Sequence, residues 1–543
     1  MAVVEFSLKD LDKLAGKKLT KEHLEKIPMM GCPLEKLEKD KVLYEVFPNR
    51  PDMLSTEGFT RAARTFLGFS KGLVSYKALP SGIRLHVEKS VSNVRPHIAA
   101  AVVRNVRLTH DVIASLVQVQ EKIHDTMGRK RKKVAIGLHD LDKVKQPFRY
   151  KAVMPDEIKF IPLGKKEKMT LGEIEKKHEK GGYVSILKRA KRWPVIVDKN
   201  NDVLSFPPVI NGELTRVTEK TKNLFIDITG LHEGAVNHAL NIIVTSLAER
   251  GFKIETVSIN KKKTPNLNPR RILVNLDYVN KLLDLDLSKA EFIETIARMG
   301  FGFDGKYVLV PCYRADIMHE IDVVEDVAIA HGYEKFEPRV PKVPTIAQRY
   351  DMEEFSEFAS NLMKGMGFQE AVSMILTNEI DEFEKMLIKK EDACETLNPV
   401  SVECTICRKN LLPSLMDVLA QNLHREYPQK IFEIGYTVVP DKESETGSMD
   451  MLKLAAVISN SKVSYEDISS VLDALLNQLG LSYKFNPLKH PSFIEGRAAG
   501  IKIGNEQFGT IGEIHPQVLN NWKLEKPVVA FELDLQKVFY LKK

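Results

Sequence analysis

The chain has 543 residues, of which 43% are hydrophobic and 28% charged, with 80 Lys and Arg against 73 Asp and Glu, a net charge of +7, and 5 cysteines. That length exceeds what one hydrophobic core sustains, so roughly three to five domains are expected, and the composition excludes a disordered chain or a disulfide framework. The charge balance is too mild to select a polyanionic partner on its own, no stretch reaches the roughly 20 apolar residues of a membrane span, and the opening MAVVEFSLKDLDKL lacks a basic-then-apolar leader, so a reducing, cytoplasmic setting is expected.

In chain order, residues 6–26 read as polar-capped helical segments, 42–47 (VLYEVF) as a strand ending at Pro48, and 55–67 as a helix. From about 83 to 257 the pattern turns to short β-branched runs, at 98–106 and 133–137 among others, interleaved with helices at 111–124 and 233–248, which predicts an α+β domain. The segment 260–269 (NKKKTPNLNP) has the composition of an exposed linker, and a domain boundary is placed there. A strand at 271–276, two helical stretches, a strand at 307–310 and a periodic helix at 317–331 follow. The proline-rich 336–344 (FEPRVPKVP) marks a second boundary, after which a helix at 352–365 opens a mixed strand-and-helix region. Expected domains are 1–85, 86–262, 268–341 and 345–543.

One repeat is visible. Arg50-x-Asp52 precedes a helix and Gly68, and Arg314-x-Asp316 precedes a helix and Gly332 at the same Asp-to-Gly spacing. Two copies of a strand-turn-helix unit are expected, with Asp capping the helix and Gly closing it. Within the second copy Asp322, Glu325 and Asp326 fall at i, i+3 and i+4, so they share a helix face, with Asp316 a turn or two earlier. Such crowding calls for a neutralising cation or arginine. Hard carboxylate oxygens suit Mg²⁺, which takes only one or two of them, and the plain alternative is an acidic first turn complementing the helix dipole.

Basic runs at 129–133 (RKRKK), 188–192 (KRAKR) and 261–263 are either phosphate-contacting surfaces or solvated loops. Cys404 and Cys407 form a CxxC without a second pair or a nearby His, and are read as incidental. There is no GxxxxGK[ST], no GxGxxG after a strand, no HExxH, and no Gly-rich nucleotide signature ending in arginine in the C-terminal region.

The order Pro311, Arg314, Asp316, Ile317, Asp322, Glu325, Asp326, Gly332 and Tyr333 resembles the β subunits of phenylalanyl-tRNA synthetases of the archaeal and eukaryotic cytoplasmic type. It departs from other branches at Asp326 and Ala330. The likeness extends to Pro48-Asn49-Arg50-Pro51-Asp52 with Glu57-Gly58, and to Leu397-Asn398-Pro399, 408–413 (RKNLLP), 432–435 (FEIG), 496–499 (GRAA) and 512–516 (GEIHP). The resemblance implies a multidomain α+β fold. It has small helix-containing N-terminal and central domains of related fold, an α+β editing domain, and a C-terminal, non-catalytic, class II synthetase-like antiparallel-sheet domain. It implies an α₂β₂ assembly with a catalytic α subunit that handles ATP and phenylalanine, binding of tRNA(Phe), and Mg²⁺ at the subunit contact, carried over to Asp316, Asp322, Glu325 and Asp326. Compared with the bacterial form, the additional RNA-binding domains are expected to be missing.

The stretches 134–143 (VAIGLHDLDK) and 203–230 resemble the family's editing module, which hydrolyses tyrosine wrongly attached to tRNA(Phe). A pocket shaped for phenyl does not strongly reject an added hydroxyl, so a second sieve is useful. Ser205, Asn211, Asp227 and Thr229 are candidate donors and acceptors there, with His139 and Asp140 beside them. Asp227 and Thr229 alternate with Ile226 and Ile228 and share one strand face. The plain alternatives are a strand ended by Pro207-Pro208, a hairpin turn at Asn211-Gly212 and a half-exposed strand. Two other functions stay open: a tRNA-binding scaffold that does not edit, and a free-standing deacylase.

Overall fold

Alternation of buried and exposed residues along Ala2–Ser7 and Lys41–Val46 sets the first sheet. In the computed structural model, which describes residues 2–187 and 190–542, these strands pair antiparallel and Leu34–Leu37 completes a three-stranded sheet. Phe6 therefore lies in a strand, and the expected helical segments begin later, at Leu8–Ala15 and Lys21–Lys26. Helix Thr56–Phe66 closes this layer, with the Phe59 ring stacked 4.3 Å from Phe6.

The chain divides into two units, 1–340 and 341–543. In the first, Arg270–Leu273, Tyr307–Val310 and Gly302–Phe303 form another three-stranded sheet, with Tyr307–Val310 central. Its central strand leads through Arg314-x-Asp316 into helix Glu320–His331, as Lys41–Val46 leads through Arg50-x-Asp52 into Thr56–Phe66. Gly68 and Gly332, with φ of +79° and +103°, end the two helices where a side chain would be strained.

The expected aspartate caps are corrected. Ser55 and His319 cap the helices, accepting from the backbone N–H groups of Gly58 and Ile321. The aspartates are instead clamped by the arginines two residues before them. Arg50 donates to both Asp52 oxygens at 2.9 Å, and Arg314 Nη2 donates at 2.6 Å to Asp316 and at 2.6 Å to Asp326. The two copies touch here, because the Arg61 guanidinium lies 3.4 Å over the ring of Tyr313. Burial raises the Asp52 carboxyl, but Arg50, Arg314 and Arg61 together outweigh it and hold the group below its ordinary range. For Asp326 burial wins over Arg314, and its carboxyl is raised.

Between the two copies runs a ten-stranded sheet. Its order is Ile210–Asn211, Val203–Phe206, Trp193–Val197, Phe148–Val153, Ala78–Val87, Lys253–Ile259, His97–Arg104, Asn223–Gly230 and Val134–Asp140, with Lys262–Thr264 added beside Lys253–Ile259. Ala78–Val87 runs parallel to both its neighbours and crosses the expected boundary at 85/86. Lys262–Thr264 pairs with the sheet, and Thr264 Oγ1 donates to Ala100 O at 2.7 Å, so part of the expected linker is folded into this layer. Asn223–Gly230 is buried along nearly its whole length because helix Glu233–Glu249 covers one face and further side chains the other. Burial of Leu224, Phe225, Ile226 and Ile228 contributes roughly 1.5–3 kcal/mol each.

The second unit is a seven-stranded sheet, antiparallel except where Gln369–Glu370 joins Gln429–Pro440. Period-2 patterning along Ser448–Ser459 divides its residues between two cores. Leu454, Ala456 and Ile458 face helices Asp351–Gly365, Tyr465–Gln478 and Leu535–Lys542, while Ala455 and Val457 face Leu412–Gln421 and Pro516–Asn521. Four of the five motifs quoted from this region meet in pairs: Arg408 binds Glu433 at 2.8 Å with both side chains buried, and Arg497 binds Glu513 at 2.6 Å. Gly435 has no side chain because a Cβ there would lie 2.4 Å from Arg408 Nη2.

Substituting Arg314→Met leaves the buried Asp326 and the partly buried Asp316 without their cation, and a loss of about 3–5 kcal/mol in stability is expected in denaturant unfolding of the chain. A change below about 1 kcal/mol contradicts the importance given to this clamp.

Candidate functional site

The two edge strands of the ten-stranded sheet, Ile210–Asn211 and Val134–Asp140, come together: Asn211 Nδ2 donates to Leu138 O at 3.3 Å. At this seam, roofed by helix His110–Asp125, lies a cavity of about 230 Å³. Its wall is largely apolar, with Ile113, Leu116, Ile136, Val209 and Ile210 among the lining residues and Ser205, Asn211, Thr215 and Asp227 as polar insertions.

Register explains the polar arrangement. Asp227 sits opposite Gly137, and Phe225 opposite His139, so Asp227 reaches His139 diagonally across the strand pair. Asp227 Oδ2 is 2.7 Å from His139 Nε2, and His139 Nδ1 is 2.7 Å from Thr215 Oγ1. The imidazole is wholly buried and bridges two groups that line the cavity without lining it itself. A Cβ on residue 137 would stand 2.2 Å from Asp227 Oδ2 and 2.7 Å from His139 Nε2, so the chain of hydrogen bonds requires glycine there.

Of the six residues expected here, Ser205, Asn211 and Asp227 border the cavity, and His139 stands behind it. Thr229 does not. It is fully buried and accepts at 2.9 Å from Arg95 Nε, whose guanidinium also donates to the carbonyls of Thr229, Arg131 and Lys132. Burial pushes the Arg95 guanidinium down to about 10. Asp140, on the opposite strand face, caps the turn after it and accepts from the Thr221 hydroxyl at 2.9 Å. Asn211-Gly212 is not the hairpin turn. Asn211 pairs with Ser205 in a strand, the turn lies at Pro207-Pro208, and Gly212 is small because a Cβ would meet Val203 O at 2.5 Å.

A second polar group at the cavity was hidden in the sequence. Arg131, from the basic run 129–133, is buried rather than solvated, bonds Glu121 at 2.9 Å and Val209 O at 3.1 Å, and stacks on Tyr183. His124 Nε2 accepts from the Ile136 N–H at 2.8 Å, which fixes its proton on Nδ1, 3.6 Å from Glu121. His124 and Arg131 hold the Glu121 carboxyl down to about 2 against the effect of burial. In the run 188–192, Lys188 and Arg189 lie outside the described residues; Lys191 and Arg192 are exposed. In 261–263, Lys262 pairs with Glu233.

The acidic tract does not form one ligand set within this chain. The helix starts at Glu320, so Asp316 lies in the turn before it, and Arg314 occupies both Asp316 and Asp326. Asp322 Oδ2 accepts from the N–H groups of Met318 and His319 at 2.6 and 2.7 Å, and Glu325 is exposed. Among the described residues no group of three or more His, Cys, Asp or Glu side chains is arranged to hold a metal ion, Cys404 and Cys407 included. Nor is any described helix long and apolar enough to cross a membrane.

Sequence models of three known domains match the chain: the B3/4 domain at 85–260, which contains the cavity, the tRNA synthetase B5 domain at 272–333, which contains the Arg314 tract, and the phenylalanyl-tRNA synthetase beta chain CLM domain at 337–535. The chain is 43% identical to the phenylalanine–tRNA ligase beta subunit of Methanocaldococcus jannaschii over 99% of its own length and 100% of that protein. It is also 43% identical to the beta subunit of Archaeoglobus fulgidus, over 99% of each. A crystal structure of an N-terminal fragment of the phenylalanyl-tRNA synthetase beta-subunit from Pyrococcus horikoshii superposes with a TM-score of 0.58 at 40% identity, covering 61% of this chain and 99% of that one. The chain belongs to the phenylalanine–tRNA ligase β-subunit family.

Proposed function

We propose that the chain is the β subunit of a cytoplasmic phenylalanine–tRNA ligase, paired in an α₂β₂ assembly with an α subunit that charges tRNA(Phe) using ATP and phenylalanine, and that its seam cavity hydrolyses mischarged Tyr-tRNA(Phe). The observation that carries the hydrolytic reading is the hydrogen-bonded chain Asp227–His139–Thr215 beside Asn211 in a largely apolar wall. An apolar wall suits an aromatic side chain, and the buried imidazole orients the Asp227 carboxylate. Asp227 takes a proton from water as the water oxygen bonds to the ester carbon; the ribose oxygen leaves and receives that proton. The Asn211 amide, tied by one hydrogen to Leu138 O, has a second hydrogen for the carbonyl oxygen that becomes negative.

The α partner is assigned to the second unit's apolar surface, where Leu397, Val400 and Val402 are 94%, 100% and 85% exposed and Val372 is 90% exposed. These side chains flank the short pair of strands Leu376–Thr377 and Ile406–Cys407, and exposure of so many neighbouring aliphatic groups marks an interface. For Mg²⁺, the carboxylates not consumed by Arg314 are Asp322, through its second oxygen, and Glu325; Mg²⁺ needs only one or two and completes its shell with water. Exposed Arg129, Lys130 and Lys132 beside the cavity are assigned to the tRNA backbone.

Asp227→Asn and Asn211→Ala are each expected to slow deacylation of Tyr-tRNA(Phe) by the α₂β₂ enzyme about 10²-fold or more while leaving charging intact; unchanged hydrolysis in both removes the assignment and favours a non-editing scaffold. Leu397→Asp combined with Val400→Asp is expected to abolish copurification with α, and full recovery of the complex contradicts the docking face. Asp322→Asn with Glu325→Gln is expected to lower the magnesium content of the purified complex, and equal content by elemental analysis counts against those two ligands.

A further inference from the structure

Cys407, in the second unit, has a cross-strand neighbour that its CxxC spacing conceals. Glu395 and Ile406 form an antiparallel bridge, with the Thr396 N–H donating to Thr405 O at 2.9 Å and the Cys407 N–H donating to Cys394 O at 2.8 Å. That register sets Cys394 directly opposite Cys407, in a hydrogen-bonded pair whose Cα atoms stand about 5.5 Å apart with both side chains on one face. Disulfides span Cα separations of roughly 4.4–6.8 Å. Cys404 fails this condition, because it precedes the extended stretch 405–407, which puts its Cα about 10 Å from that of Cys407.

On its other side Cys407 pairs with Leu376, which is 37% exposed, so the row Leu376, Cys407, Cys394 lies on the solvent side of these strands, whereas Ile406 is buried. Cys394 and Cys407 are both half-buried, in contrast to the buried Cys32 and Cys312. Burial, then Cys394 and Asp450, raise the Cys407 thiol, so it rests neutral. Cys407 is also firmly placed. The next residue, Arg408, donates from its backbone N–H to Ile375 O at 2.9 Å, and its guanidinium is the buried partner of Glu433. Between the two cysteines the chain runs out through Leu397, Val400 and Val402, all exposed.

We propose that Cys394 and Cys407 form a reversible disulfide that fastens the hairpin 394–407 to the anchored strand, with an organic disulfide such as glutathione disulfide as oxidant. One protein thiolate attacks glutathione disulfide and expels a glutathione thiolate, giving a mixed disulfide. The second protein thiolate then attacks the protein sulfur of that mixed disulfide and expels the other glutathione thiolate. The two cysteines give up two electrons and two protons, and both end on the two glutathione molecules. In a hydrogen-bonded pair the Cβ atoms stand wider apart than the roughly 3.8 Å that a disulfide prefers, so the bridge forms with strain and is readily reduced.

The test exposes the purified full-length chain to glutathione disulfide, traps the remaining thiols with an alkylating agent, and maps disulfides by mass spectrometry of proteolytic peptides. A linkage between Cys394 and Cys407 is expected as the main product, formed in Cys404→Ser as in the wild type and reversed by dithiothreitol. Amide hydrogen exchange across 395–405 is expected to slow about tenfold or more on oxidation, because the bridge closes a loop of about 14 residues. Free thiols or separate glutathione adducts at the two positions, a dominant linkage through Cys404, or equal formation of the linkage in the urea-unfolded chain overturns the pairing, and each of these results is read on the wild type. Unchanged exchange across 395–405 in a fully bridged chain overturns the tether.

Discussion

Arg314 Nη2 lies 2.6 Å from both Asp316 and Asp326, and these three groups, together with Arg50, Asp52 and Arg61, gather three positive and three negative charges in the first unit, all of them buried except the partly buried Asp316. Charges removed from water are tolerable only when matched, so each partner constrains the others. The bidentate clamp of Arg50 on Asp52 and that of Arg314 on Asp316 fix the turn between strand and helix in each copy. Arg61 against Tyr313 fixes one copy against the other. Helix Glu233–Glu249 joins the same layer, because Ser246 Oγ lies 2.8 Å from Ser55 Oγ, the cap of the first copy's helix. The sheet that holds the cavity is therefore seated on an element whose position the charge cluster determines.

The same cluster decides what the acidic helix has available. Four carboxylates in the sequence invite one cation, yet a guanidinium contributed from within the turn neutralises two of them. Carboxylate spacing on a helix reports which faces they occupy, but not whether a face turns toward solvent or toward an arginine, because that depends on how the helix is docked. The repeat was legible for the opposite reason. Arg-x-Asp, a helix and a closing glycine are local features, and the strand Tyr307–Val310 was readable from its own composition.

At the cavity the division between legible and hidden residues follows sequence distance. Alternation along Asn223–Gly230 placed Asp227 on one face, and the structure keeps it there. That its partner is His139 rather than Thr229 depends on a register joining strands about ninety residues apart, for which the sequence contains no marker. Thr215, in a short helical turn, and Arg131, inside a run that looks solvated, were hidden for the same reason. Asn260-to-Pro269 misled through composition. Lysine and proline signal exposure, but Lys262–Thr264 forms an edge strand, where lysines keep water on one side while the backbone pairs on the other.

Gly137 shows how the site and the fold were reconciled. A glycine within a strand costs roughly 0.5–1 kcal/mol relative to alanine, through backbone freedom lost on folding. Here it lies in an edge strand beside Asn223–Gly230, buried along nearly its whole length, whose apolar side chains offset a loss of that size several times over. What the missing Cβ makes room for is the contact between Asp227 and His139, buried at the meeting of two sheet edges where unpaired backbone groups already need partners. Asn211 on Leu138 O and Arg131 on Val209 O satisfy two of those groups with side chains. The seam thus stays closed without a continuous ladder of strand hydrogen bonds, and the space left between its edges is large enough for a ligand and lined by groups already held in place.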